Sequence, residues 1–467
     1  MRDEKQILKC RDDKDPIILL KNVEQNAGAD PFKLEDGCEC SWLKKGDTLG
    51  PVKLRPRIEP WLTALFQSEH LALLVGSGLT HAVHHIATKK PLPGMGTIKF
   101  THFDKEINAE AKKSAEAVGR ESGNIEDQIR VANELLRGFE IIAASFEGFE
   151  GKAIEIKADL KRVLDNFAKS VLMGETELIT ANSRDLENAF NYLVSFLMSF
   201  ASRNGTRDRL QIFTTNYDRY IEAGAEIAGL HLLDRFVGSL APIFRSSRLD
   251  VDMHYNPPGI RGEPRYLEGV ARFTKLHGSL DWVNTEKNIR RIGLPFGAES
   301  IEPYLKAPWL ESADTLQLMI YPNSAKDRET AAYPYVDLFR DFAAAVCRPN
   351  NTLISFGYSF GDEHINRVIE DMLTIPSTHL VVISHSDPMN RIMRMYYRLG
   401  RHAQISLLIG DQLGDFQTLV DNYLPKPAID QTTFRMAELL KSRGAVGQVD
   451  DEEEVMDVHE THEESMA

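Results

Sequence analysis

The stretch "LQIFTTNYDRYIE", Leu210 to Glu222, decides how the chain folds. Leu210, Ile212 and Phe213 sit in a mostly apolar run without strict polar alternation, which suits a strand covered on both faces. Thr214 and Thr215 follow, then Asn216 and Asp218, and the helix-like "DRYIEAGAEIAG" sets in at once. Strand, polar tip and helix form the repeating unit of a parallel α/β sheet. Packing accounts for the strand and the helix. It does not ask for an amide and a carboxylate between them.

The same unit recurs along the chain. Short apolar runs occur at "LALLV" (from Leu71), "RFTKL" (Arg272), "LQLMIY" (Leu316), "TLISFG" (Thr352), "HLVVIS" (His379) and "QISLLIG" (Gln404), with helix-like segments between most of them. One of these, "DPMNRIMRMYYRLG", is well signed: Asp387 as N-cap, Pro388 at the first helical position and Gly400 at the end. The expected fold class is α/β, a doubly wound parallel (Rossmann-like) sheet. The gap between "LALLV" and "LQIFTT" is too long for one crossover and reads as a large α-helical insertion at about 105–207. There, Ile125, Ile129, Ala132, Leu136 and Phe139 fall on one stripe, and Leu186, Phe190, Leu193, Leu197 and Phe200 on another. Three amphipathic helices of this kind are expected to bury their stripes together. Residues 1–62, rich in Pro, Gly and charge, read as an N-terminal arm. Residues 63–425 read as the main domain with its insertion, and 426–467 as a C-terminal helix and a disordered acidic tail.

With 467 residues and 42% apolar content the chain can build a large core. Its net charge of −14 argues against a nucleic-acid surface spread over the whole molecule. The final eighteen residues hold nine acids and no Lys or Arg, so the remainder sits at −5, which leaves room for a local basic groove. A charged N-terminus and no apolar run near ~18 residues imply no membrane and a cytoplasmic location. Cys10, Cys38, Cys40 and Cys347 form no CxxC pair, so neither a disulfide framework nor a zinc ribbon can be drawn from them.

Four strand ends carry unusual residues. After "LALLV" comes "GSGLTHAV", whose Gly76 and Gly78 give either a structural tight turn or a backbone that can approach a pyrophosphate at a helix N-terminus. Asp218 is explained by helix capping; Asn216 is not, and its amide can orient a hydroxyl or a water. In "KLHGSLDW", His277 reads as a structural imidazole or as a general base, with Gly278 clearing space beside it. In "ISFGYSFGDEHIN", Gly357, Ser359 and Gly361 lead into a helix starting at Asp362, and small residues with a hydroxyl suit a phosphate or ribose.

Taken in order, "GSGLT", "TTNYD", "LHGS" and "GYSFGDEHIN" resemble the successive nucleotide-binding signatures of the sirtuin superfamily, over roughly Leu71 to Asp411. The tyrosine of "TNYD" and the long "GYSFGDEHIN" look most like the bacterial sirtuin-like, zinc-free subfamily that degrades NAD in anti-phage defence. The sirtuin deacylases carry a zinc module of two CxxC pairs, which this chain cannot supply. The resemblance therefore implies an NAD glycohydrolase, with NAD as substrate and no zinc; the alternatives are a zinc-free protein deacylase or ADP-ribosyltransferase, and a non-catalytic NAD or ADP-ribose sensor. By this resemblance the pyrophosphate lies at Gly76, Ser77 and Gly78 with Thr80 and Thr215 near, and the adenosine half lies against Gly357, Ser359 and Ser384. Asn216 orients ribose or water, His277 acts as base, and Asp218 steadies the loop or merely caps. A cytosolic NADase needs restraint, and little of the chain is left over for a built-in sensor. The expectation is therefore a homo-oligomer with a separate regulatory protein. The resemblance suggests a HerA-type ATPase or, second, an Argonaute-like protein.

Overall fold

Six of the seven apolar runs lie among the eleven strands of one sheet. In chain order they are β1 Lys5–Lys9, β2 Ile17–Lys21, β3 Phe32–Leu34, β4 Thr48–Leu49, β5 His70–Val75, β6 Gln211–Thr214, β7 His231–Leu233, β8 Val270–Lys275, β9 Asn351–Phe356, β10 His379–Ser384 and β11 Ile405–Ile409. The computed structural model describes residues 5–21, 30–44, 46–92, 96–117, 120, 122–203, 207–250, 252–255, 265–285, 287–310, 313–319 and 333–426. The chain divides into a compact unit, Met1–Pro425, which holds the sheet and its helices, and a segment, Lys426–Ala467. The expected C-terminal helix and acidic tail lie outside the described residues, Lys426 excepted.

The sheet has eleven strands in the order β4-β3-β2-β1-β11-β10-β9-β5-β6-β8-β7. From β11 to β7 every pairing is parallel. From β11 back to β4 every pairing is antiparallel. The fold is thus α/β with a mixed, largely parallel sheet, not the wholly parallel sheet expected from the sequence. Residues read as an arm supply the antiparallel strands, held by polar side chains. Gln6 Oε1 accepts from the backbone N–H of Gln412 and Leu413 at 3.1 Å each, and Lys9 Nζ donates to the carbonyls of His402 (2.6 Å) and Ile405 (3.1 Å).

Helices cover both faces. On one face α1 Pro51–Phe66, α2 Ser77–Thr88, α6 Ser183–Ala201 and α7 Tyr220–Ala228 pack on Leu71, Leu73 and Val75 of β5. On the other face α8 Tyr335–Val346, α9 Glu363–Met372 and α10 Arg391–Leu399 pack on Ala72 and Leu74. Between β5 and β6 lies the helical region: α2, α3 Asp104–Ala117, α4 Ile125–Ala143, α5 Phe149–Ile179 and α6. The expected joint burial of three stripes holds only in part. Ile125, Ile129 and Ala132 of α4 share a core with Leu160, Leu164 and Phe167 of α5, whereas Leu193, Leu197 and Phe200 of α6 pack into the sheet's own core.

Two further expectations change. The run at Leu316 is not a sheet strand: Thr315–Gln317 form a 3-10 turn, Leu318 makes an isolated antiparallel bridge to Val283, and residues 320–332 lie outside the described residues. The helix after β10 begins at Arg391, because Met389 and Asn390 take positive φ; Asp387 still caps it, accepting from the N–H of Ile392 (2.9 Å) and Met393 (3.0 Å). Gly400 ends it in the left-handed region.

Candidate active site

Register sets the site. Val75 pairs with Thr214 and with Phe356, and Thr214 pairs with Lys275, so four neighbouring parallel strands end level. Each polar motif follows its strand end, and all four are delivered to one edge of the sheet. The chain reverses its direction of strand addition between β5 and β9, the crevice where open α/β sheets take ligands. A cleft of about 790 Å³ opens there. That lies within the range of small-molecule sites, roughly 300–1,000 Å³.

The glycine turns after β5 and β9 are pressed together. Gly76 N–H donates to Phe356 O (3.0 Å) and Gly78 N–H to Gly357 O (3.1 Å). A Cβ on Gly76 would lie 2.4 Å from Gly357 O, and one on Gly78 2.6 Å from Gly357 Cα. The room these glycines leave is filled by protein backbone at Gly357. Gly76, Ser77 and Gly357 line the cleft, and Gly78 does not.

Asn216 is buried and fixed. Its Nδ2 donates to Gly76 O (3.0 Å) and to Thr80 Oγ1 (2.9 Å), and Thr80 Oγ1 donates in turn to Asp218 Oδ2 (2.8 Å). Both amide protons point inward, so Oδ1, an acceptor, is what Asn216 offers a ligand. Asp218 Oδ1 accepts from Tyr220 N–H (3.2 Å), the capping role. Burial raises the Asp218 carboxyl pKa, with Lys275 and the Thr80 hydroxyl opposing.

His277, also on the cleft, contacts Asp362 Oδ2 through Nε2 at 2.8 Å. Asp362 is the N-cap of α9, its Oδ1 accepting from His364 N–H at 2.9 Å. One carboxylate thus starts a helix and holds an imidazole 85 residues away in sequence. Gly278 (φ +89°) lets the chain turn after His277, and a Cβ there would lie 2.2 Å from Met319 O.

Nine of the residues singled out in the sequence line this cleft: Gly76, Ser77, Thr80, Thr215, Asn216, Asp218, His277, Gly357 and Ser359. Ser384 does not, and its Oγ donates to Ser386 O at 2.7 Å. Sequence reading had Asp362 only as a helix start and Tyr217 only as a mark of the resemblance, and it did not foresee the contribution of the helical region. Tyr217, buried, donates to Glu126 Oε1 of α4 at 3.4 Å and packs edge-on against Phe167 of α5, 5.8 Å between ring centroids. Phe167, Ser170, Val171 and Gly174 of α5 form one wall. The signal for Asp362 was the cap motif itself, but nothing local says where its second oxygen points. Among the described residues no group of three or more His, Cys, Asp or Glu could hold a metal, and no helix is long and apolar enough to cross a membrane.

A model of the SIR2-like domain matches residues 210–402. No curated protein matches the chain. The matched stretch takes in Asn216, Asp218, His277, Gly357, Ser359 and Asp362, while the Gly76–Gly78 turn precedes it. Residues 210–402 thus match a SIR2-like domain, a kind of domain that implies NAD-related chemistry.

Proposed function

We propose that the cleft binds NAD and hydrolyses it to nicotinamide and ADP-ribose. The observation that carries this reading is the His277–Asp362 pair on the same cleft as Asn216. With Asp362 accepting from Nε2–H, the imidazole is left with Nδ1 as its basic nitrogen. The C1′–N bond to nicotinamide breaks with its electron pair going to the pyridinium ring, and positive charge builds at C1′. A water oxygen bonds to C1′ and its proton passes to His277 Nδ1. Asn216 Oδ1, rigid because both amide protons are held, accepts from a ribose hydroxyl or from that water. Ser77 and the start of α2 favour the pyrophosphate's charge, and Gly357 and Ser359 face the adenosine half.

Asn216→Ala and His277→Ala are each expected to leave a folded chain and to lower NAD cleavage by ~10²-fold or more. Mixing the full chain with NAD and following nicotinamide tests this directly. Release without an acceptor supports hydrolysis, release only with an acyl-peptide supports deacylation, and binding without release supports a sensor. Near-normal turnover by either variant would remove that residue from the assignment.

We further propose that this activity serves bacterial antiviral defence and is restrained by assembly, as a homo-oligomer docked to a HerA-type ATPase or, second, an Argonaute-like protein. Support for an assembly surface comes from Ile141, Phe146 and Ile154, all more than half exposed around the α4–α5 connection. Size-exclusion chromatography should show a multimer, and a partner should change the NADase rate. A monomer indifferent to any partner would sink this reading.

A further inference from the structure

At the mouth of the cleft, beyond Ser359, a second cavity of about 460 Å³ shares Gly361, Glu363, Arg367 and Arg391 with the first. Its walls also carry Arg394, Glu370 and Arg398. The two acids are taken: Glu370 pairs with Arg398, and Glu363 with Arg367 at 3.7 Å. Among the described residues no carboxylate lies within ion-pair distance of Arg391 or Arg394. The nearest acid in sequence to Arg391 is Asp387, and its oxygens cap α10.

Arg391 is half-buried, and its neighbours include two further cations, Arg120 and Arg394. Burial, then the charge of Arg120, lowers its pKa. Asp387 opposes these effects only weakly and from beyond ion-pair distance, so there is room for an anionic partner beside the guanidinium. Its Nη1 reaches over Gly361: a Cβ on that glycine would lie 2.9 Å from Nη1 and 3.4 Å from Ser359 Oγ. The space beside Ser359 is therefore bounded by a hydroxyl and a planar donor fork, the pairing that suits a phosphate.

The proposed reading already places the pyrophosphate at Ser77 and the adenosine half at Ser359, and this inference rests on it. We propose that Arg391, assisted by Arg394, binds a phosphate on the adenosine ribose, so that the cleft takes a 2′-phosphorylated nucleotide such as NADP in preference to NAD. An arginine near that ribose is how other dinucleotide sites accommodate the 2′-phosphate.

Calorimetric titration of the full chain with ADP-ribose and with 2′-phospho-ADP-ribose tests the inference. The expected result is binding of the phosphorylated ligand tighter by about 10-fold or more. Arg391→Gln should abolish that preference while leaving ADP-ribose affinity within about 2-fold, and Arg398→Gln, whose arginine already has Glu370, should keep it. Arg391→Lys, which retains charge without the fork, should keep part of it and serves if Arg391→Gln does not fold. Equal or weaker binding of 2′-phospho-ADP-ribose by the unaltered chain overturns the inference and leaves the nucleotide reading standing. Equal weakening of both ligands by Arg391→Gln also overturns it, placing Arg391 on the pyrophosphate. Binding of neither ligand overturns both.

Discussion

In the proposed mechanism His277 does not act alone: its Nε2 lies 2.8 Å from Asp362 Oδ2, and a carboxylate there favours the proton on Nε2. Asp362→Asn separates this role from capping. An asparagine can keep one oxygen on the N–H of His364 and so preserve α9. Its NH₂ then faces Nε2, which must become the acceptor, and the proton moves to Nδ1 where the base was. NAD cleavage should fall by ~10²- to 10⁴-fold with little change in melting temperature. An equal loss of stability and activity would mean that the pair is structural. Asn216 and His277 were legible because polar residues interrupt apolar runs at strand ends, where packing gives them no reason to be. Asp362 was legible only as a cap, since a carboxylate has two oxygens and the sequence assigns one. Ser384 shows the reverse: a hydroxyl at the right strand end turns back on Ser386. Gly76 and Gly78 were read either as a tight turn or as room for a pyrophosphate, and the space a Cβ would take at each is filled by the backbone of the turn at Gly357.

At the level of elements, the long strands of the parallel part announced themselves, and the N-terminal antiparallel strands did not. "KQILK" in β1 puts Gln6 and Lys9 at positions that look solvated, yet both side chains turn inward to satisfy loop N–H and C=O groups at the ends of the sheet. Only a long-range partner, some 400 residues away, explains them. A second contact of this kind joins α1 to the sheet and supports a prediction. Trp61 Nε1 donates to Ser406 Oγ at 3.0 Å, leaving the Ser406 hydroxyl proton for Nε2 of His379 at 2.9 Å, with the Trp61 ring edge-on to the imidazole. This arrangement needs neutral His379. Burial, then the charge of Lys9, lowers its pKa to about 4, against 6.5 for a free imidazole. The folded chain resists protonation while the unfolded chain accepts it. Stability from this group is therefore complete above pH 6.5 and is lost as pH falls toward 4, by about 3 kcal/mol at most. Urea denaturation at pH 7, 5.5 and 4.5 should show a shallower decline for His379→Gln than for the unaltered chain. Parallel pH profiles would show that the imidazole is not held neutral.

Across the whole molecule, the sheet and the α3–α5 part of the helical region have separate cores, and the cleft lies where they meet. Arg219, the residue after Asp218, crosses that boundary. Its backbone N–H and Nε both donate to Glu175 Oε1 of α5 (3.0 and 3.1 Å), Nη2 donates to Pro295 O (2.9 Å), and Nη1 to Leu294 O. Glu175 is fully buried and Arg219 nearly so. Taking two ions out of water is costly unless each satisfies the other, so the geometry matters more than the attraction. Removing one partner strands the other charge. Arg219→Met should therefore cost about 3–5 kcal/mol, and Glu175→Gln a comparable amount. The double variant should be less destabilised than the two singles added together, because no buried charge remains. Denaturation of all three variants measures this coupling. Because Arg219 adjoins the stretch bearing Asn216 and Asp218, the single variants should also raise KM for NAD before they unfold the chain. Additive losses in stability, with KM unchanged, would show that the helical region packs beside the site without helping to hold it.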